Sequence, residues 1–162
     1  MAKKVTIEGT RLMFRNFAGA KTQYNREGDR NFHVVIDAET AKKMDKDDWF
    51  IKVNAPKNDG DDELYTIKVR IGEKDEPPVY VIGENKKPIR FHKGQFKRID
   101  RLNIINVDVV FHQANSTFEY QGREYHSAYL DKIYINILED DLDKKYGIYD
   151  ETPDPEEETP FD

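Results

Sequence analysis

Two stretches of this chain set cations among aromatic rings. Arg11 to Phe32, RLMFRNFAGAKTQYNREGDRNF, holds five basic residues (Arg11, Arg15, Lys21, Arg26, Arg30), two acids (Glu27, Asp29) and four rings (Phe14, Phe17, Tyr24, Phe32). Lys86 to Arg101, KKPIRFHKGQFKRIDR, holds seven Lys or Arg, one acid (Asp100) and two rings, Phe91 and Phe96. The chemistry open to such stretches is the binding of a single nucleic-acid strand. Lys and Arg meet phosphates, and flat apolar faces stack on splayed bases. Like charges packed this densely repel one another, and a phosphate backbone supplies a reason for the density. Each cation that meets a phosphate releases counterions, which makes affinity salt-sensitive. In the second stretch Gly94 would let a loop tip bend, so that Phe91 and Phe96 face successive bases. The plainer alternative makes the rings core residues and the cations their solvated flanks.

The candidate stacking platforms are therefore Phe14, Phe17, Tyr24, Phe32, Phe91 and Phe96. Phe32 is the first of these to expect in the core, because it shares a strand face with Val34 and Ile36. The candidate phosphate contacts are Arg11, Arg15, Lys21, Arg30, Lys68, Arg70, Arg90, Lys93, Lys97, Arg98 and Arg101. Lys68 and Arg70 belong here because they lie opposite the apolar face Tyr65, Ile67, Val69 and Ile71.

Catalysis finds little support. The four histidines, His33, His92, His112 and His126, have no metal-ligand spacing with one another. His33, His112 and His126 fall in strand patterns as structural residues, and His92 joins the basic surface. Asn58 to Glu63, NDGDDE, is a turn without the spacing of a calcium loop. No phosphate-cradling glycine loop and no nucleophile elbow is present. No catalytic residue, metal or cofactor is expected. A metal-dependent nuclease built from scattered carboxylates is the enzymatic alternative.

The elements that must position these residues are mostly strands. Val5 and Ile7 alternate with polar neighbours until Gly9, after which the apolar phase shifts to Leu12 and Phe14. A glycine at a phase change predicts a bulge in one long bent strand. Asn31–Ile36 alternates, Asp37 caps a short helix from Ala38 to about Lys46, and Trp49–Val53 resumes strand character. Further strands follow at Leu64–Ile71, Val79–Ile82, Leu102–His112, Phe118–Tyr120 and Arg123–Leu138, the last two joined by a turn at Gln121-Gly122. On the expected faces, Ile105 joins Val107, Val109 and Phe111, and Tyr129 joins Ile133, Ile135 and Ile137. This is a mainly β, antiparallel domain. A bent first strand and a single helix favour an OB-fold-like barrel over a sandwich.

The 162 residues allow one domain and a tail, and 36% of them are charged. There is no cysteine, which excludes disulfides and thiolate chemistry and suits a cytosolic setting. MAKKVTIEG has no apolar run behind its lysines, so no signal peptide is expected. The net charge of −6 hides an asymmetry: residues 139–162 carry 11 acids and two lysines, while residues 1–138 carry 24 basic and 21 acidic side chains. The expected organisation is a binding domain over 1–138 and an acidic, largely disordered tail over 139–162. In the tail, Asp154, Glu156, Glu157, Glu158, Pro160, Phe161 and Asp162 form a candidate partner-binding tip. Phe161 would anchor in a pocket ringed by cations. The acids would also compete for the basic groove.

The pattern FRNFAG…YNREGDRNF at 14–32, with the acidic tail ending Thr159-Pro160-Phe161-Asp162, resembles the small OB-fold single-stranded DNA-binding proteins encoded by tailed bacteriophages. The resemblance implies a non-catalytic protein that coats single-stranded DNA during phage replication or recombination in the host bacterial cytoplasm. It also implies a phage or host replication protein as the tail's partner. Bacterial single-stranded DNA-binding proteins end in Pro-Phe with a free carboxylate. Here Asp162 follows Phe161, a departure that points towards a phage-encoded partner. The alternative outside DNA coating is an interaction module or DNA mimic that targets a host DNA-binding enzyme.

Overall fold

The computed structural model describes residues 3–56, 60, 62–72 and 74–138. The tail expected over 139–162 lies outside these residues, as do Asn58, Asp59 and Asp61 of the expected turn.

Bending of the first strand organises the fold. β1 (Lys4–Thr10) and β2 (Leu12–Asn16) are successive pieces of one segment. Gly9 has φ +63, and the register of β1 against its neighbour slips between Ile7 and Thr10. The expected bulge is therefore present, with the Gly9 amide donating to Asp108 Oδ1 at 2.7 Å. After Gly9 the chain changes neighbours. β1 pairs with β8 (Ile104–Tyr120), whereas β2 pairs with β3 (Arg30–Ile36). The Val35 amide donates to the Arg11 carbonyl at the junction.

The remaining order is α1 (Ala38–Lys46), β4 (Ile51–Asn54), β5 (Leu64–Ile71), β6 (Val79–Ile82), β7 (Pro88–Phe91), a 3₁₀ helix (Lys93–Arg101), β8 and β9 (Arg123–Ile137). All nine strands among the described residues belong to one sheet with the main path β1-β8-β9-β5-β3-β2. The path is open, but its two ends are the two halves of the bent segment, which gives the OB-like wrap. Along β9, two stretches of parallel pairing follow one another, first to β5 and then to β6.

Local chemistry explains α1, the one α-helix among the described residues. Asp37 accepts from the Thr40 amide at 2.7 Å, and this hydrogen bond holds the exposed carboxyl below its usual pKa. Gln121 and Gly122 both have positive φ, as a two-residue hairpin turn requires.

Three expectations need correction. A second helical element occupies Lys93–Arg101, where the sequence pattern suggested a loop. β8 is one strand of 17 residues, not two pieces. Register shifts beside Ile104 and beside Val110 reverse two faces: Ile105 is exposed, and Ala128 and Leu130 replace Tyr129 in the core. A one-residue slip moves a side chain to the other side of a sheet.

Candidate nucleic-acid interface

Four of the six rings expected to stack are core residues. Phe17, Phe32, Phe91 and Phe96 are fully buried. Phe17 lies flat on Phe32 with centroids 4.8 Å apart. The 3₁₀ helix turns Phe96 and Ile99 inward, so Gly94 is an exposed residue of its first turn and not a loop tip. A ring enclosed by the core offers no face to a base, and these four assignments are corrected. Phe14 and Tyr24 remain open, at 58% and 87% exposure.

Both open rings are held by specific local structure. β2 slips against β3 between Met13 and Asn16, and Phe14 sits in that bulge with φ 51. Bulges re-aim side chains, and here the ring meets His33 edge-on at 5.1 Å, with Lys52 Nζ 5.7 Å from its centroid. Tyr24 stands on the loop from Phe17 to Asp29. The Asp100 carboxylate accepts from the Phe17 and Ala18 amides at 2.8 and 3.1 Å, tying this loop to the 3₁₀ helix. The Asn25 side chain donates to the carbonyls of Ala20 and Asp29. Gly19 has φ +68, and a Cβ there would lie 3.1 Å from the Gly28 carbonyl carbon, so only glycine suits the crossing.

The outward faces of β3, β4 and β5 make the floor between these rings. His33 lies opposite Lys68, Asn31 opposite Arg70, and Lys52 opposite Thr66. Residues paired across strands project to the same side. A groove of about 600 Å³ runs from Tyr24 past Phe14 to His33, Lys52 and Lys68. A second cleft of about 240 Å³ shares those three residues and continues to Arg70. The two form one path with apolar rings at one end and cations along the middle.

The other predicted cations divide by position. Arg15 lines the groove, but its Nη1 donates to the carbonyls of Ile99 and Leu102 at 2.8 Å each, fastening the end of the 3₁₀ helix. Arg70 pairs with Asp29 at 3.8 Å. Arg11, Lys21 and Arg101 are exposed, while Arg30, Lys93, Lys97 and Arg98 are half-buried. Arg90 donates to the Glu76 carbonyl at 3.4 Å. Asp100 and Ile99 join the second basic stretch to the first, but of Lys86–Arg101 only Asp100 lines either cleft, so the cations of the second stretch do not line the groove.

Sequence reasoning missed Lys52 and His33 as groove residues, together with an aromatic cluster. Phe50 packs against Phe118, Tyr120 and Tyr125 with centroids 5.3, 5.1 and 4.9 Å away. The last three flank the Gln121-Gly122 turn, and that spacing of rings around a turn was the available signal. Arg123 crosses the Tyr125 ring at 4.8 Å and pairs with Asp45 and Asp48, fixing the hairpin arm to the end of α1.

The groove is electrostatically strained toward an anion. Burial and then the charges of Lys52 and Lys68 lower the His33 pKa from 6.5 to about 4. Burial and then Arg70 also lower Lys68, with Asp29 acting in the opposite direction. Above pH 6.5 His33 is neutral whether the chain is folded or not. Between 6.5 and 4 the unfolded chain takes up a proton that the folded chain refuses, so stability falls as pH falls through this window. Discounting for solvent screening, the loss attributable to His33 is about 1–2 kcal/mol. Urea unfolding of the native chain and His33→Gln at pH 7 and pH 4.5 should show that difference. Parallel pH dependence in the two would remove His33 as its source.

A family model described as "Putative phage ssDNA-binding domain" matches residues 1–158. Among solved structures, the chain is similar to the single-stranded DNA-binding protein of bacteriophage Enc34. Its C-terminal truncation aligns with TM-score 0.52 at 12% identity, covering 85% of this chain and 87% of that one. Its complex with single-stranded DNA aligns with TM-score 0.51 at 12% identity, covering 85% and 88%. No curated protein matches the sequence.

Proposed function

This chain belongs to the phage single-stranded DNA-binding family, and from that premise we propose that it coats single-stranded DNA along the groove between Tyr24 and Arg70. The observation that carries the site is the continuity of the two clefts through His33, Lys52 and Lys68. Bases stack on Phe14 and Tyr24. Phosphates track Lys52, Lys68 and Arg70, with Lys21 and Arg11 as outlying contacts. Stacking is indifferent to base identity because every base has a π-face, and a coat protein needs that tolerance. No step of this activity requires a reaction. The protein acts in phage replication or recombination in the host cytoplasm.

Domain 1–138 does the binding. The tail 139–162, through Asp154, Glu156, Glu157, Glu158, Pro160, Phe161 and Asp162, recruits a replication protein and competes with DNA for the cationic groove. Fluorescence anisotropy with labelled oligothymidylate and an equal-length duplex, across salt, tests both parts. The full chain should bind the single strand in preference to the duplex, and affinity should fall as salt rises. A truncation ending at Ile148 should bind more tightly at low salt. No binding by either form would refute the reading, and equal affinities would refute the competing tail.

A further inference from the structure

β5 and β9 pair only at Val69–Ala128 and Arg70–Tyr129. On the N-terminal side of that contact the strands part, and the 240 Å³ cleft opens between Ile67 and Lys68 on one strand and His126 and Ser127 on the other. Phe50 and Phe118, which meet edge-on at 5.3 Å, both line it. Small-molecule pockets run from about 300 to 1,000 Å³, so this one is sized for a single ring system and not for a stacked run.

We propose that this cleft is a pocket for one extruded nucleobase per chain, the far end of the strand's path across the groove. This rests on the single-stranded DNA reading above. Three features favour a base over other apolar guests. The cleft is continuous with the groove through His33, Lys52 and Lys68. Its mouth carries Lys52, Lys68 and Arg70, which suit the phosphates on either side of a flipped nucleotide. Its lining combines two aromatic rings, Phe50 and Phe118, with the polar side chains of His126 and Ser127. His126 Nδ1 lies 2.7 Å from the Ala114 carbonyl and must donate to it, which leaves Nε2 of the neutral ring as an acceptor. Ser127 adds a hydroxyl that both donates and accepts. Each of the four bases offers at least one N–H, so this polar side holds a base without selecting a sequence.

The test uses the full chain, titrated with thymidine 5′-monophosphate and with 2-deoxyribose 5-phosphate, by NMR. The nucleotide should shift the amides of Phe50, Phe118, Ser127 and Ala128, whereas the baseless phosphate should move only those around Lys52, Lys68 and Arg70. Identical shifts from both would overturn the pocket. Ser127→Leu fills the cleft from a half-buried position, and it should lower oligothymidylate affinity about tenfold, within the range for one stacked base, with an unchanged unfolding midpoint. Native affinity in Ser127→Leu, alongside weakened binding in Lys68→Gln, would sink the pocket and leave the groove standing. Absence of single-strand binding by the native chain would sink both.

Discussion

Replacing Lys52 and Lys68 together by glutamine should weaken single-strand binding about a hundredfold while leaving the fold no less stable. The two lysines flank His33 on the floor that both clefts share. A hydrogen bond to a charged group contributes about 1.5–3 kcal/mol, and partial exposure of both side chains reduces this. A combined loss of about 2.7 kcal/mol corresponds to the hundredfold stated. Each phosphate contact on a single strand adds roughly 0.7 to the salt slope, so the double variant should flatten log Kd against log salt by about 1.4. A fall in affinity with an unchanged slope would mean the lysines act through structure and not through phosphates.

Stability should move the other way from affinity. In the free protein, burial and Arg70 both disfavour the charged form of Lys68, and burial first, then the two lysines, hold down the His33 pKa. Removing them relieves repulsion in the native state. The His33 pKa should then rise part of the way toward its ordinary 6.5, burial still holding it down, and the acid loss of stability should shrink in proportion. A side chain that costs the fold and serves the ligand is the expected signature of a binding site. Urea unfolding beside the anisotropy series checks both directions in the same samples.

The fold was largely legible because its signals are local. Asp37, as a cap, placed α1 at Ala38–Lys46, Gly9 marked the bulge, and Gln121-Gly122 marked the hairpin turn. The site was less legible, since exposure depends on register. Phe14 and Phe17 look equivalent in FRNFAG, yet a bulge turns the first to solvent and leaves the second under Phe32. Phe96 looked like a loop residue because a 3₁₀ helix has weak sequence signals, and Phe91 because its strand, β7, is only four residues long and opens on Pro88. Lys52 carries no motif at all. It becomes a groove residue only when β4 is laid against β5 and opposite Thr66.

Truncating both open rings, Phe14→Ala with Tyr24→Ala, should also cost about a hundredfold in affinity, because stacking is worth ~1–3 kcal/mol per base. In contrast to the lysine variant, the salt slope should stay at its native value. Phe14 allows a sharper test through its backbone. Its φ of 51 lies in the left-handed region, which costs a non-glycine residue about 1–3 kcal/mol. Ordinarily glycine in a strand is less stable than alanine by roughly 0.5–1 kcal/mol. At this position the order should reverse: Phe14→Gly removes both ring and strain, whereas Phe14→Ala removes the ring and keeps the strain. The glycine variant should therefore be the more stable of the two by about 1 kcal/mol, and both should bind DNA equally weakly. If alanine were the more stable, the backbone would be unstrained at Phe14. If either variant kept native affinity, Phe14 would not be a platform, and stacking would pass to Tyr24 and the rings beside the second cleft.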